Sequence, residues 1–234
     1  CPYQYHQLAE ELHAAGFNVV VPLLPEHGLA GPEVHPLRDL RSEDALALSN
    51  QVVEAAQGLG EHVTVRGSSY GGALATWLAQ NRSDLEQVMI LSPAYGLRMV
   101  PAWLQRPAMT LLPLLPSIQV NNPNQVPAQS YRGTSSRALS EVLRLGQSVL
   151  AASRATAPAS RSNTIITAPG DRVVRLDLAA ELEQNWLSSG GQVRSYQFDP
   201  NLDLIHDFVE PSGPKARPDV VYAMLVNFIH SPDR

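Results

Sequence analysis

The amino-acid sequence predicts an α/β fold: a mostly parallel β-sheet with helices on both faces and a cap inserted in the middle of the chain. Three observations carry this. Short apolar runs alternate with amphipathic stretches along most of the 234 residues. Those runs are continuously apolar, as strands buried on both faces are, and do not alternate every second residue. One long stretch, residues 97–160, breaks the alternation and is far longer than a crossover between strands requires.

The elements follow in order. Residues 3–16 read as a helix, with Pro2 suited to its first turn, Leu8, Leu12 and Ala15 at helical spacing, and Gly16 as the stop. "FNVVVPLL" (residues 17–24) reads as a buried strand. Residues 42–59 form a second helix, with Ser42 as its expected cap and Ala45, Leu46, Val53 and Ala56 on the apolar side. "HVTVRG" is the next strand and residues 72–80 the next helix. "EQVMILSPA" and "NTIITAPG" are strands on either side of the interrupting stretch, whose one convincing helix spans residues 137–152. A helix over 176–187, the strand "VRSYQF" and a helix over 218–229 complete the chain. The expected division is a core of residues 1–96 and 161–234, with 97–160 as a cap over one edge of the sheet.

Composition narrows the function. A hydrophobic content of 44% with 17% charged residues describes a globular chain. A net charge of −5 offers no basic face for nucleic acid. Pro101, Pro107, Pro113 and Pro116 interrupt the most apolar region, so no run reaches the roughly 18 residues of a membrane span. Small molecules are therefore the expected partners, and a cytoplasmic location the expected one. The lone cysteine, Cys1, allows neither an internal disulfide nor a cysteine-based metal cluster.

The segment "VTVRGSSYGGALATWLAQ" carries the chemistry. Gly67-Ser68-Ser69-Tyr70-Gly71 matches G-x-S-x-G at a junction from strand to helix. Such a turn holds its serine in a strained backbone conformation, with Gly67 and Gly71 expected to be small so that strand and helix can approach. The Ser69 hydroxyl then projects at the carboxyl end of the sheet, where the helix start and the Tyr70 amide can stabilise negative charge on a substrate oxygen. A serine hydroxyl needs a histidine to take its proton and a carboxylate to orient that histidine. His206, in "DLIHDF", lies between the last strand and the last helix. Asp171, in "TAPGDRVV", directly follows the preceding strand; Asp199, Asp203 and Asp207 compete, but none holds that position. His6, His13 and His62 fall on helices or a helix–strand loop. A metal site pairing His27 with Glu26 or His35 would lack recognisable ligand spacing, so the "PEHG" segment is read as a structural turn, with no metal and no cofactor.

These motifs together resemble the α/β-hydrolases, in particular their branch of carboxylesterases, monoacylglycerol lipases and serine aminopeptidases. "YQYHQLAEELHAAGFNVVVPLLPEHG" is similar to the segment that follows the oxyanion loop, "GSSYGG" to the nucleophile elbow, "GDRVV" to the acid loop and "HDF" to the histidine loop. The resemblance implies a serine hydrolase in which Ser69 is the nucleophile, Asp171 the acid, His206 the general base and the Tyr70 N–H one oxyanion donor. Carboxylic esters are the expected substrates; peptidase, haloperoxidase and thioesterase activities, and a non-catalytic binding module, are the alternatives. In the cap, Met99, Trp103, Met109, Leu111, Leu112 and Leu115 are expected to receive an apolar acyl chain, with plain packing as the competing reading. A second oxyanion donor would come, in that family, from a His-Gly loop before the first long helix. A start at Cys1 in place of Met raises two expectations: a fragment whose first strands lie upstream, which is favoured, or a processed lipoprotein with an acylated cysteine.

Overall fold

The structure is a computed structural model and describes residues 2–28, 37–111, 117–121 and 133–230. In chain order its strands are β1 (Thr64–Ser68), β2 (Gln87–Leu91), β3 (Gln119–Asn121), β4 (Gly133–Ser135), β5 (Ser162–Thr167) and β6 (Arg194–Gln197). Its helices are α1 (His6–Ala14), α2 (Ser42–Gln57), α3 (Tyr70–Asn81), α4 (Ala102–Leu111), α5 (Ser136–Ser153), α6 (Leu176–Ser188) and α7 (Pro218–His230). Four strands form one sheet in the order β1-β2-β5-β6, every neighbouring pair parallel. β3 and β4 pair antiparallel, apart from that sheet.

The apolar run of β2 is explained by burial on both faces, whereas β6 is largely exposed. Along β2 all five residues are buried. Val88 and Ile90 enter one apolar layer with Ala73, Leu78, Leu145, Val149, Leu182 and Trp186 from α3, α5 and α6. Met89 and Leu91 enter the opposite layer with Leu8, Leu12, Val221, Tyr222 and Leu225 from α1 and α7. Neither face of this strand meets water, so no polar alternation is written into it. α5 lies within residues 97–160 yet contributes Leu145, Val149 and Leu150 to the core layer. Its N-terminus is capped by Ser135, whose Oγ accepts from the Ala138 amide at 3.0 Å.

Two sequence expectations are corrected. Residues 17–24 are not a strand: among the described residues no ladder includes them, and the four sheet strands pair with one another. Strand propensity has no effect without a neighbouring backbone to bond. The apolar side chains of this segment serve packing, Phe17 and Val19 in the layer of α1 and α7 and Leu24 in the other. Ser42 is not a cap either. Arg41 holds the N-cap position of α2 without a side-chain bond, while Ser42 Oγ donates to the carbonyl of Glu141 at 3.2 Å and its amide donates to the Glu141 carboxylate at 3.0 Å, joining α2 to α5.

Candidate active site

Because the sheet is parallel, its strands all end on one rim. Ser68 of β1 is level with Leu91 of β2, Leu91 with Ile166 of β5, and Thr167 with Gln197 of β6. The residues that follow these positions carry Ser69, Asp171 and His206. The loops after β5 and β6 have only to reach along that rim, across strands about 4.8 Å apart.

Ser69 sits between β1 and α3 with φ 56° and ψ −116°, a conformation that side-chain-bearing residues rarely adopt. Hydrogen bonds on both sides hold it there: its amide donates to Leu91 O at 2.9 Å, and its carbonyl accepts from Ala94 N at 3.0 Å and Ala73 N at 3.2 Å. Close approach of strand and helix demands glycine at 67, where a Cβ would lie 1.9 Å from the Gly71 carbonyl oxygen. The other tight position is Gly72, whose Cβ would stand 3.0 Å from Pro93 Cα. At Gly71 a Cβ would meet nothing within 4 Å, so the expected steric need at that motif glycine is corrected to its neighbour. The Tyr70 amide, at the first position of α3, makes no backbone hydrogen bond among the described residues and belongs to the unsatisfied donors of a helix start.

Asp171 and His206 are brought into direct contact. A turn from Ala168, closed by the Asp171 amide on Ala168 O at 3.0 Å, delivers the carboxylate. Its Oδ1 accepts from the amides of Val173 at 2.8 Å and Val174 at 3.2 Å. Its Oδ2 is 2.7 Å from His206 Nδ1. With Nδ1–H donating to the carboxylate, the neutral ring carries its lone pair on Nε2, which leaves that atom free to accept a proton. Both residues are buried, Asp171 fully. The histidine loop is seated by buried Leu204 and Phe208, the latter edge-on to Phe198 with ring centroids 5.2 Å apart. The two loops touch at Gly170, where a Cβ would lie 2.4 Å from Leu204 O.

Charge follows from this geometry. Burial by itself pushes the Asp171 carboxyl up, but the hydrogen bond and charge of His206 with the two valine amides outweigh it, and its pKa lies below the ordinary carboxylate value. Burial likewise disfavours the charged His206 ring; the hydrogen bond and charge of Asp171, aided by Asp207, outweigh it and leave the ring more basic than a free histidine. The competing carboxylates do other work. Asp199 accepts from the Asn201 amide in a turn, Asp203 pairs with Lys215, and Asp207 is exposed.

Ser69 stands on the same rim, but its Oγ makes no hydrogen bond to His206 among the described residues. Serine–histidine bonds are often long before substrate binds. His27 Nδ1 donates to Pro25 O, 2.9 Å away, within its own turn. His35, Leu112 and Leu115 lie outside the described residues. Met99, Trp103 and Leu111 are exposed by 71, 77 and 55%. The reason is the facing of α4: Trp103, Pro107 and Leu111 recur every four residues on its outer side, while Gln105 is buried and Met109 packs inward against Leu97, Leu143 and Val174. A depression of about 490 Å³ between α4 and α5 is lined by Met109, Gln147, Leu150 and Arg154 among others, and includes none of Ser69, Asp171 and His206. Sequence reasoning missed the Val173 and Val174 amides and the closeness of Gly170 to Leu204, since backbone contacts leave little trace in residue type.

The parallel sheet, the strained serine turn and the Asp–His pair at the ends of later strands define the α/β-hydrolase fold. A family model described as "Serine aminopeptidase, S33" matches residues 3–197, and the chain belongs to that family. The match ends before His206, whose place rests on the geometry above. Among solved structures, the chain resembles one from a study of two metagenome-derived lipolytic enzymes, with 18% identity, TM-score 0.78 and coverage of 98% of this chain and 89% of the other. It is also similar to a monoacylglycerol lipase from Paleococcus ferrophilus, with 17% identity, TM-score 0.73 and coverage of 98% and 90%. A soluble variant of monoglyceride lipase from Saccharomyces cerevisiae aligns at 12% identity and TM-score 0.75, covering 98% and 82%. No curated protein sequence matches significantly.

Proposed function

We propose that the protein is a serine hydrolase that cleaves carboxylic esters of small apolar molecules through an acyl-enzyme. The observation that carries this is the 2.7 Å contact of His206 Nδ1 with Asp171 Oδ2 on the rim where the strained Ser69 sits. In the first half-reaction Ser69 Oγ adds to the ester carbonyl as its proton passes to His206 Nε2. The resulting oxyanion is stabilised by the Tyr70 N–H and the start of α3. Asp171 remains ionised and holds the imidazolium in place. The tetrahedral species collapses as His206 protonates the departing alkoxide, releasing alcohol and leaving the acyl group on Ser69. Water then adds to the acyl-enzyme with His206 again as base, and collapse returns the proton to Ser69 and frees the acid. Lipolytic and monoacylglycerol-lipase structures among the fold neighbours support esters as the substrate class.

The test is fluorophosphonate labelling followed by peptide mass spectrometry, with turnover of p-nitrophenyl esters and of aminoacyl p-nitroanilides measured side by side. Labelling of Ser69 with preferential ester turnover is the expected result. Labelling with preferential anilide turnover would move the substrate to peptides, and absence of label at Ser69 would overturn the reading.

A further inference from the structure

The carboxylate of Asp171 is oriented by the amides of Val173 and Val174, so its direction depends on the shape of residues 171–174. That loop is itself held from outside. Where the chain leaves the core toward α4, residues 96–98 run antiparallel beside it: Arg98 N donates to Val173 O at 2.9 Å, Arg175 N donates to Gly96 O at 2.9 Å, and Leu97 bridges Val174 between them. Leu97 and Val174 are both buried, in one cluster with Ala94 and Leu143. The Arg98 guanidinium adds a side-chain bond, Nη1 donating to the carbonyl oxygen of Asp171 at 3.3 Å. Among the described residues no other hydrogen bond to that carbonyl is present. The strap is tied onward to α4 by Gln105, whose buried amide donates to Val100 O at 3.2 Å and Leu97 O at 3.4 Å.

We infer that Arg98, at the end of the Gly96–Arg98 strap, is a positioning residue for the catalytic acid: it holds the 171–174 loop so that one carboxylate oxygen takes the two valine amides and the other faces His206. The inference rests on the ester-hydrolase reading above. Arg98 touches none of the reacting atoms in this role; it acts through the backbone of the residue whose side chain does. The consequence is mechanical. A displacement of α4 reaches the strap through Gln105, the strap shares two backbone bonds with the acid loop, and the acid loop sets the direction of the His206 ring. The conformation of α4 and the proton affinity of His206 are therefore one coupled quantity.

Arg98 is exposed and outside both core layers, so its removal leaves the fold standing and the role can be read directly. The variants are Arg98→Ala and Arg98→Lys, assayed with an acetyl ester, with His206 titrated by NMR and amide exchange followed at Val173 and Val174. The expected results for Arg98→Ala are a kcat lower by roughly 3- to 10-fold, the range that loss of about one hydrogen bond to an exposed charged donor allows, with unchanged KM, a His206 titration moved to lower pH and faster exchange at both valines. Lysine, which can donate to the same carbonyl, restores most of each. Wild-type titration and exchange in Arg98→Ala would overturn the inference. So would a loss confined to KM, which would make Arg98 a substrate contact, or equal impairment of both variants. The NMR readouts need no turnover, so failure of the ester-hydrolase reading in the labelling experiment remains distinguishable from failure of this one.

Discussion

A Cβ placed on Gly67 would lie 1.9 Å from the carbonyl oxygen of Gly71, closer than any two such atoms can stand. The turn from β1 to α3 therefore exists only with glycine at 67. Gly67→Ala forces apart the strand and the helix that hold Ser69 and is expected to destabilise the protein by about 2–4 kcal/mol, in the range of overpacked or strained sites. Gly71→Ala meets open space inside a helix and should instead stabilise by about 0.5–1 kcal/mol. Urea unfolding of the two variants checks this, and similar losses for both would contradict it.

Removing the proposed nucleophile has a separate signature. Ser69→Ala should leave the urea midpoint within error of wild type and lower kcat on acetyl and butyryl esters by about 10⁴-fold or more. Ser68→Ala, one residue back on β1, should retain activity of the wild-type order. The pair distinguishes the two adjacent serines.

The pH profile follows from the Asp171–His206 contact. In the proposed mechanism His206 must be neutral to accept a proton, and its pKa is raised because the bond and charge of Asp171 outweigh burial. The acid limb of kcat/KM should thus have its midpoint above 6.5, the ordinary histidine value. In Asp171→Asn the charge is gone and burial remains, so the limb moves to lower pH while the maximum rate falls by about 10⁴-fold. Asp199→Asn and Asp203→Asn, both exposed, should move neither. The linkage to stability has the opposite sense for the two partners. His206, raised in the folded state, contributes fully below its unfolded pKa, and the contribution is lost as pH rises through the folded value. Asp171, lowered, contributes above its unfolded pKa and is lost as pH falls through the folded value.

Gly170→Ala tests the packing of the two loops. The added methyl would stand 2.4 Å from Leu204 O and must push the acid loop from the histidine loop. Misplacement by about 1 Å at a catalytic group costs roughly 10²-fold in rate. The expected outcome is that loss in kcat with KM little changed, and a crystal structure of the variant should show the 2.7 Å contact lengthened.

Trp103→Ser and Leu111→Ser on the outer side of α4 should change stability by less than about 0.5 kcal/mol each, since both side chains are largely in water. Ester series from acetyl to decanoyl then read whether this face meets substrate. Losses growing with chain length are expected if it receives the acyl group, and uniform rates would remove Trp103 and Leu111 from the substrate site.

Much of this protein was legible from residue order alone. Continuously apolar "VMIL" announced a strand with no wet face, and burial on both sides is the physical reason. G-x-S-x-G between a strand and a helix located Ser69, because few residue types tolerate the backbone strain and close approach of that turn. The order of the last two strands placed Asp171 and His206 on one rim, since parallel strands end together. What residue order could not decide was anything settled by a neighbour distant in the chain. "FNVVVPLL" has strand propensity, but a strand also needs a partner ladder, and none among the described residues includes it. Gly71 fits the motif, yet the space that forbids a side chain is around Gly72, set by Pro93 more than twenty residues on. α4 is apolar on paper, and only its packing shows Met109 turned inward and Trp103 outward. The loop of Asp171 is joined to Gly96–Arg98, more than seventy residues earlier, through backbone hydrogen bonds that any side chain would permit. Local sequence determines which conformations each segment can adopt; the tertiary structure decides among them, because the bonds and contacts that select one come from segments brought together only by folding.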